Sequence, residues 1–410
     1  MQKRSSKYKE IKLQFLEETF SKRIKTLQYR LAKAGVDAVL LRQNADLFYF
    51  TGTVQDGHLV IPAEGEPFFY VWRSYKRALK ESPLASLGLV RPLQGLGHFR
   101  QIIYDSRLKD AKVVGLEMDV LPAKFYIFYR DAVWPKARLI DISPEIRALR
   151  SIKDRVEIQR IRQAALQVHS VFGKVPEFLK NSQTELDLAA NIEAELRRQG
   201  HCGLMRMRIW NQEIGMGQIV SGASGTVPSW TNTPVGGLGP HPSFGMGASF
   251  KEIVNNEMVS VDLGGWHKGY CCDVTRPFFI GNAPKEVRDA FVAIKTLLAE
   301  LEKRLVPGAV AGELYDYAGN FMKGIGKSKY FMGIGRDRVS FVGHGLGIEL
   351  DEFPFIAKDS KMVLQAGMVV ALEPKLILSP YGVVGLEDTY LIKDEGCERL
   401  TLGEQELVMV

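Results

Sequence analysis

The sequence predicts two domains: an α/β amino-terminal domain with a mixed sheet over residues 1–145, and an α+β domain over residues 146–410. The chain has 410 residues, which is more than one hydrophobic core usually serves. Helix and strand patterns alternate over the first 145 residues. Beyond that point, helix-forming segments come first and strand-forming segments follow, which is typical of an α+β domain.

The composition is that of a globular protein, with 46% hydrophobic and 25% charged residues. The formal net charge is +7, and a basic cluster opens the chain at residues 1–12, "MQKRSSKYKEIK". A positive balance permits an anionic partner. However, no basic stripe is interleaved with aromatic residues, so we predict no nucleic-acid partner.

The cysteine pattern indicates a reducing compartment. There are four cysteines, at 202, 271, 272 and 397, and no C-x-x-C pair or disulfide framework. No apolar segment follows the basic start, as a secretory signal would require. The longest apolar runs fall far short of the roughly 18 residues that span a membrane. We therefore expect a cytoplasmic protein without a membrane partner.

The amino-terminal elements follow from local pattern. Residues 12–34 place apolar side chains at helical spacing, and Gly35 follows as a helix end. The segments "VDAVLLR", "KVVGLEM" and "ARLIDIS" read as buried strands. The segment "HLVIPAEGEPFFYV" is typical of a hairpin with "AEGE" as its turn.

The second domain begins after a break at Ser143-Pro144. A helix is predicted over 182–200, capped by Thr184 and ended by Gly200. Residues 221–250 are rich in glycine and proline and predict a long loop. Strands "EMVSVDLGGW" and "KGYCCDVTRPFFIG" then pair if "GGWHKG" forms the turn. A helical region at about 284–325 precedes the last strands, "GMVVALEPKLIL" and "YGVVGLEDTYLI".

Four carboxylates lie in apolar strand patterns rather than on charged helix surfaces: Asp262, Asp273, Glu373 and Glu387. Buried carboxylates are costly unless they are paired with cations or bound to metal. Arg276 is the obvious nearby arginine. Because it could neutralise only one or two of the four, the set points to a metal site.

His344 lies between two glycines in "FVGHGLGIELDEFP". A histidine alone in a glycine-rich turn is more often structural than functional. Together with the four carboxylates it completes a hard, oxygen-rich donor set that suits two adjacent divalent ions bridged by carboxylates. Two ions about 3.5–4 Å apart can activate a water and polarise a carbonyl. The glycines would leave room for metal and substrate.

The order of these five donors resembles the ligand signature of the pita-bread metallopeptidases, which include methionine aminopeptidases, Xaa-Pro aminopeptidases and prolidases. The segments "VDLGGWHKGYCCDVTRPF", "GHGLGIELDE", "LEP" and "LEDTYLI" carry the likeness. Residues 26–52 resemble the amino-terminal domain of the prolidase/creatinase branch. The resemblance covers nearly the whole chain and implies a creatinase-like domain followed by a pita-bread catalytic domain.

The resemblance also implies a role for each donor. Asp262 would chelate one metal ion, Asp273 and Glu387 would bridge both, and His344 and Glu373 would hold the second. Glu373 would also transfer the proton of the attacking water. Oxygen-rich ligation favours manganese, with cobalt or zinc as alternatives. The implied reaction is hydrolysis of a short peptide near its free amino terminus, typically before proline, by a homodimer.

Three positions qualify this resemblance. Asp351 stands where the peptidases carry a second histidine; it could bind the substrate amino group or merely cap a turn. Gly385 stands where many Xaa-Pro peptidases carry an arginine, and Arg276 could compensate. His241, in "GPHPSFG", is the candidate for a further catalytic histidine, whereas His267 reads as a turn residue.

Two other functions remain open at this point. The chain could be a related hydrolase or lyase that acts on a small non-peptide molecule, or a binding module without catalysis. Creatinase-like members lack the metal ligands, whereas this chain keeps all five. A binding module would have to bury carboxylates without their metal, which destabilises a fold.

Overall fold

The computed structural model describes the backbone of residues 2–410 and the side chains of residues 17–410. The side chains of the basic cluster at residues 1–12 lie outside this range. The chain divides into two compact units, Met1–Arg150 and Ser151–Val410. Among the described residues, no helix combines the length and the apolar character needed to cross a membrane.

In its described part, the first unit contains six helices and one six-stranded mixed sheet. The helices are α1 (Gln2–Ala34), α2 (Asn44–Thr51), α3 (Tyr75–Glu81), α4 (Leu96–Tyr104), α5 (Ala123–Phe128) and α6 (Ser143–Ser151). The strands are β1 (Ala38–Leu41), β2 (Gly57–Pro62), β3 (Phe68–Val71), β4 (Val90–Pro92), β5 (Val113–Leu116) and β6 (Arg138–Asp141). Their order is β4-β3-β2-β1-β5-β6. Strand β2 is antiparallel to β1 and β3, and the other pairs are parallel.

The predicted helix, strands and hairpin of this unit are confirmed. In its described part, α1 buries Phe20, Ile24, Leu27 and Leu31, which share one helical face. Gly35 ends the helix with φ +66°, in the left-handed region that glycine adopts without strain. Leu40, Phe99 and Trp134 belong to the unit's hydrophobic core.

The second unit contains five further helices and eleven strands among the described residues. The helices are α7 (Arg155–Phe172), α8 (Val175–Lys180), α9 (Glu185–Arg198), α10 (Lys285–Glu302) and α11 (Ala311–Gly324). The strands are β7 (Gly217–Ser221), β8 (Met258–His267), β9 (Tyr270–Phe279), β10 (Phe341–Gly345), β11 (Glu352–Ala357), β12 (Val369–Leu372), β13 (Lys375–Leu378), β14 (Gly382–Gly385), β15 (Asp388–Ile392), β16 (Cys397–Arg399) and β17 (Val408–Met409). They form sheets ordered β11-β10-β12-β15-β16, β17-β9-β8-β7 and β13-β14.

Helix α9 begins at the predicted cap. Thr184 Oγ1 accepts a hydrogen bond from the Asp187 amide, and Asp187 Oδ2 accepts one from the Thr184 amide, which forms a capping box. The buried face of α9 carries Leu188, Ile192 and Leu196. Residues 221–250 form the predicted loop, with one short 3-10 helix at Gly222–Thr226.

The β8–β9 hairpin is longer than the sequence suggests. "GGWHKG" does not form the turn; the strand continues through the two glycines to His267, and the turn centres on Lys268 (φ +49°) and Gly269 (φ +91°). The glycine at 265 serves close packing, because a Cβ there would lie 2.5 Å from the Ala164 carbonyl oxygen of α7. The hairpin therefore extends by several residue pairs past Asp262.

Each of the last two predicted strands is divided by a break. Pro374 lacks an amide hydrogen and cannot continue a ladder, so the chain leaves β12 after Leu372 and starts β13 at Lys375. The return segment changes from β14 to β15 between Gly385 and Asp388. Strand β12 pairs with β15 in the five-stranded sheet, and β13 pairs with β14 in the two-stranded sheet. The first segment therefore passes from the five-stranded to the two-stranded sheet at its break, and the return segment passes back at its own break.

Candidate metal centre

The five donors named from the sequence line a single pocket of the second unit. Asp262 lies on β8, Asp273 on β9 and His344 on β10, whereas Glu373 and Glu387 occupy the two strand breaks. The pocket encloses about 590 Å³ of space between atoms, part of it open to solvent.

The hairpin register brings the two aspartates to one face of the sheet. Asp262 lies opposite Thr275, and Asp273 lies opposite Gly264. Residues two positions apart on paired strands point to the same side, so both carboxylates face the pocket. Thr389 Oγ1 accepts a hydrogen bond from the Asp273 amide at 3.0 Å and donates one to the Asp273 carbonyl oxygen at 2.9 Å, which ties β9 to β15.

His344 lies on strand β10 and not in a turn. The flanking glycines serve the neighbouring backbones rather than metal or substrate. A Cβ on Gly343 would overlap the Ala371 carbonyl oxygen of β12, and one on Gly345 would overlap the Phe353 carbonyl oxygen. Neither glycine has a positive φ, so any residue could adopt its backbone conformation. Glycine is required at both positions because the neighbouring backbone approaches too closely for a Cβ.

The hydrogen bonds of His344 fix its tautomer. Its Nδ1 lies 2.9 Å from the Leu350 carbonyl oxygen and 3.1 Å from that of Gly345. Because a carbonyl oxygen only accepts, Nδ1 carries a hydrogen, and in the neutral form of the ring the lone pair of Nε2 faces the pocket. This orientation is the one that histidine ligands adopt in metal sites.

Three carboxylates surround His344 Nε2. The nearest oxygens are Glu373 Oε1 at 3.6 Å, Asp273 Oδ2 at 3.9 Å and Glu387 Oε1 at 3.9 Å. Donor atoms of Asp273, His344 and Glu387 all lie within 4.8 Å of one another. Two ligands that each bind an ion at about 2.0–2.2 Å can be at most about 4 Å apart, so these spacings suit a bound divalent ion.

The buried carboxylates are electrostatically unfavourable without a cation. Burial, followed by the charge of Glu387, raises the pKa of the Asp273 carboxyl well above its usual value. Burial likewise raises the pKa of Glu387, although the Lys375 charge opposes it. Glu387 Oε1 has no hydrogen-bond partner among the described residues. Such an orphaned buried oxygen fits a metal ligand.

Lys375 is the functional residue that sequence reasoning missed. Its Nζ lies 2.8 Å from Glu373 Oε2, 3.0 Å from Asp262 Oδ2 and 3.1 Å from Glu387 Oε2, and the residue is only 2% exposed. Burial alone would lower the pKa of this lysine, but the charges of the three carboxylates raise it well above the ordinary value. A lysine within the apolar strand pattern "LEPKLIL" was the available signal.

Arg276 does not provide the compensation expected of it. Its Nη2 donates to Asp388 Oδ1 at 2.7 Å, and its Nη1 donates to the carbonyl oxygens of Glu387 and Thr275. Lys375 is a cation that contacts three of the carboxylates, and it lies directly opposite Gly385 in the β13–β14 ladder.

Asp351 lines the pocket beside His344. Its Oδ1 lies 3.4 Å from His344 Nδ1, and its side chain is 22% exposed. The loop that carries it is held by Glu352, whose Oε1 accepts hydrogen bonds from the amides of Ile348 and Glu349. Lys153 Nζ contacts the other oxygen of Glu352 at 3.1 Å. Asp351 thus precedes a glutamate that is anchored by hydrogen bonds and an ion pair.

His241 lies apart from the residues that line this pocket. It is exposed, and its Nδ1 accepts a hydrogen bond from the Ser243 amide at 3.1 Å within a local turn. Its catalytic role therefore stays a prediction. His267 ends β8 at the hairpin turn, as expected.

The remaining pocket wall combines apolar and uncharged polar side chains. The apolar members are Met205, Met207, Ile214, Phe341 and Leu350, and the polar members are Gln212, Gln218, Thr231, Asn232 and Thr233. An apolar wall next to an acidic centre suits a small molecule that has one charged and one apolar end.

Two family models match the chain. Residues 159–394 match metallopeptidase family M24, and residues 23–152 match the creatinase/prolidase N-terminal domain. Together they account for both units of the fold, and they confirm the predicted creatinase-type domain and pita-bread catalytic domain.

Similar proteins match over nearly their whole length. The chain is 26% identical over 402 residues to the probable dipeptidase PepE of Mycobacterium tuberculosis, covering 97% of this chain and 98% of that one. It is 26% identical over 392 residues to the Xaa-Pro dipeptidase of Pyrococcus furiosus, covering 94% and 99%. The crystal structure of the prolidase from Pyrococcus horikoshii superposes with a TM-score of 0.78 at 24% identity, covering 94% and 100%. On the match of its second unit, the chain belongs to metallopeptidase family M24.

Proposed function

We propose that this chain is a metal-dependent exopeptidase that hydrolyses short peptides after their first residue, with preference for proline in the second position. One observation carries the proposal: four carboxylates and the Nε2 of a buried histidine converge in one pocket. Proteins rarely bury such a set except to hold a hard divalent cation.

The candidate metal ligands indicate that the reaction is a metal-dependent hydrolysis. Divalent ions in an oxygen-rich site supply a nucleophilic water at neutral pH and polarise a carbonyl. Glu373 points Oε1 towards His344 and Oε2 towards Lys375, so it can take the proton of the attacking water and pass it to the leaving amine. Asp351, at the pocket wall, can accept hydrogen bonds from the substrate's free ammonium.

The names of similar proteins support the substrate class. Both curated relatives are called dipeptidases, and the one from Pyrococcus furiosus is specifically an Xaa-Pro dipeptidase. A non-catalytic role would leave the complete donor set without a reason. Peptide hydrolysis is therefore the function that the centre supports best.

The experiment measures hydrolysis of Xaa-Pro dipeptides, Xaa-Pro-Xaa tripeptides and matched Xaa-Ala dipeptides with added Mn²⁺. We expect cleavage of the proline peptides and a fall to background in His344→Ala and Asp273→Ala. His98→Ala, at an exposed position of α4, serves as the matched control and should keep full activity.

Each contrary result has a definite meaning. Bound metal without cleavage of any peptide would favour the non-peptide substrate. No metal at saturating Mn²⁺ would exclude metal-dependent catalysis. Full activity in His344→Ala would refute the site itself.

Three finer properties stay predictions. Manganese is our choice because four of the five donors are carboxylates. Homodimerisation and a cytoplasmic location rest on the resemblance and on the cysteine pattern, respectively. Metal analysis, light scattering and fractionation of the native host would test them.

A further inference from the structure

The acidic pocket contains two separate cation positions. The ammonium position is bounded by Asp262 Oδ2, Glu373 Oε2 and Glu387 Oε2, and Lys375 Nζ fills it at 2.8–3.1 Å from these oxygens. The ion position lies against His344 Nε2 and is bounded by Asp273 Oδ2 and the other oxygens of the two glutamates. The two glutamates thus turn one oxygen to each position.

A divalent ion and the ammonium cannot share the ammonium position. Divalent ions bind carboxylate oxygens at about 2.0–2.2 Å. An ion bound to both Asp262 Oδ2 and Glu387 Oε2 would compete with Lys375 Nζ, which already lies within hydrogen-bond distance of both oxygens. Asp262 is the donor that the family resemblance gives to the first ion alone, so this ion is the one displaced.

The fold keeps Lys375 where it is. The residue is paired with Gly385 in the β13–β14 ladder, and its carbonyl oxygen accepts a hydrogen bond from the Met332 amide at 2.9 Å. A Cβ on Gly385 would lie 2.6 Å from Lys375 Cγ, so the absence of a side chain there makes room for the lysine stem. Lys375 is only 2% exposed, so its ammonium is held among the carboxylates and away from solvent.

Two atoms that face the ion position are suited to bind a cation. Glu387 Oε1 is buried and has no hydrogen-bond partner among residues 17–410. His344 Nε2 faces the same space, because Nδ1 donates to backbone carbonyl oxygens on the other side of the ring. These atoms would be satisfied by one cation.

We propose that this centre takes a single divalent ion, at the ion position, and that the Lys375 ammonium stands permanently in place of the second ion. The proposal rests on the proposed function, because it concerns the same site, but it predicts a stoichiometry and not an activity. Asp262 then pairs with Lys375 and is not a ligand.

The experiment counts Mn²⁺ per chain by equilibrium dialysis with elemental analysis, and it records the electron paramagnetic resonance spectrum. We expect one ion per wild-type chain and the spectrum of an isolated Mn²⁺. Lys375→Ala should take two ions per chain and show an exchange-coupled pair. Lys358→Ala, which removes an exposed lysine near β11, should keep one ion.

Two further variants separate the donors. His344→Ala should lose the ion, because its Nε2 faces the ion position. Asp262→Asn should keep one ion, because its oxygen faces the ammonium. In the family's two-ion arrangement, the same change would remove one of two ions.

The contrary outcomes are distinct. Two ions in the wild-type chain would overturn the proposal, even if peptides are cleaved. One ion in a folded Lys375→Ala chain would also overturn it. Where Lys375→Ala does not fold, Asp262→Asn decides, and loss of the ion there would overturn the proposal. One ion without peptide cleavage would support the stoichiometry and refute the proposed function alone.

Discussion

Lys375 and Gly385, which face each other on paired strands, determine which residue supplies the positive charge next to the carboxylates. Gly385 stands where many Xaa-Pro peptidases carry an arginine, and the cation reappears on the opposite strand at Lys375. A glycine next to a buried lysine lets the aliphatic stem pass and delivers the ammonium to the carboxylates. The sequence showed that position 385 lacks the positive charge of an arginine. It did not show that Lys375 supplies a positive charge instead, because cross-strand register is not evident from either segment alone.

Asp351 provides a residue-scale prediction about substrate binding. Asp351→Asn keeps the shape and removes the charge that would hold the substrate ammonium. We expect KM to rise by about tenfold or more, since hydrogen bonds to charged groups contribute about 1.5–3 kcal/mol. The measurement is steady-state hydrolysis of an Xaa-Pro dipeptide. An unchanged KM would leave Asp351 as a turn residue.

His201 provides a residue-scale prediction about pH. Its Nδ1 accepts a hydrogen bond from the Gly203 amide and its Nε2 donates one to the Gly264 carbonyl oxygen, so the ring is neutral. Burial lowers its pKa from 6.5 to about 4. The unfolded chain therefore binds more protons in mild acid. The stability from this neutral ring is complete above about pH 6.5 and is lost as pH falls towards 4.

The expected loss from His201 is about 2 kcal/mol between pH 7 and pH 5. Urea unfolding of the wild-type chain and of His201→Gln at both pH values measures it. The glutamine amide can still donate to Gly264 but does not titrate, so the variant should lose less stability on acidification. His98→Gln should behave like wild type, and an equal loss in His201→Gln would exclude the histidine as the cause.

At the scale of elements, periodicity and end signals were sufficient for much of the fold. The capping box at Thr184, the hairpin β2–β3 and the paired strands β8 and β9 follow from local pattern. The turn of β8–β9 did not, because "GG" usually breaks a strand, whereas here α7 approaches so closely that only glycine fits. The sheet changes at the two glutamates also escaped prediction, since they depend on which strands pair across the unit.

The glycines around His344 give an element-scale prediction. Gly343→Ala would force a Cβ against the Ala371 carbonyl oxygen of β12, and both strands would have to separate. We expect a loss of about 2 kcal/mol or more in the free energy of unfolding and weaker metal binding. Urea unfolding and Mn²⁺ titration measure the two effects.

Gly319→Ala is the matched control for Gly343→Ala. Gly319 lies within helix α11, where a Cβ would meet nothing within 4 Å. Alanine there should stabilise the helix by about 0.5–1 kcal/mol. If both alanine variants changed stability alike, close strand approach could not be the reason for the glycine at 343.

At the scale of the whole molecule, each unit has its own hydrophobic core. The candidate metal centre belongs entirely to the second unit. Its donors include Asp273 on β9 of the four-stranded sheet, His344 on β10 of the five-stranded sheet, and the glutamates directly after β12 and directly before β15 of that same sheet. A bound ion therefore links two sheets of the second unit.

This separation predicts where metal binding slows hydrogen exchange. A ligand that binds only the folded state stabilises it by about 2.7 kcal/mol at a hundred times its dissociation constant, or about a hundredfold in exchange through global opening of that unit. Amides of β9, β10, β12 and β15 should gain this protection on addition of Mn²⁺, whereas those of β1 and β2 should not. His344→Ala should abolish the gain. Equal protection of β1 and β2 would show that the two units open together, because only a shared opening lets an ion held by the second unit protect the first.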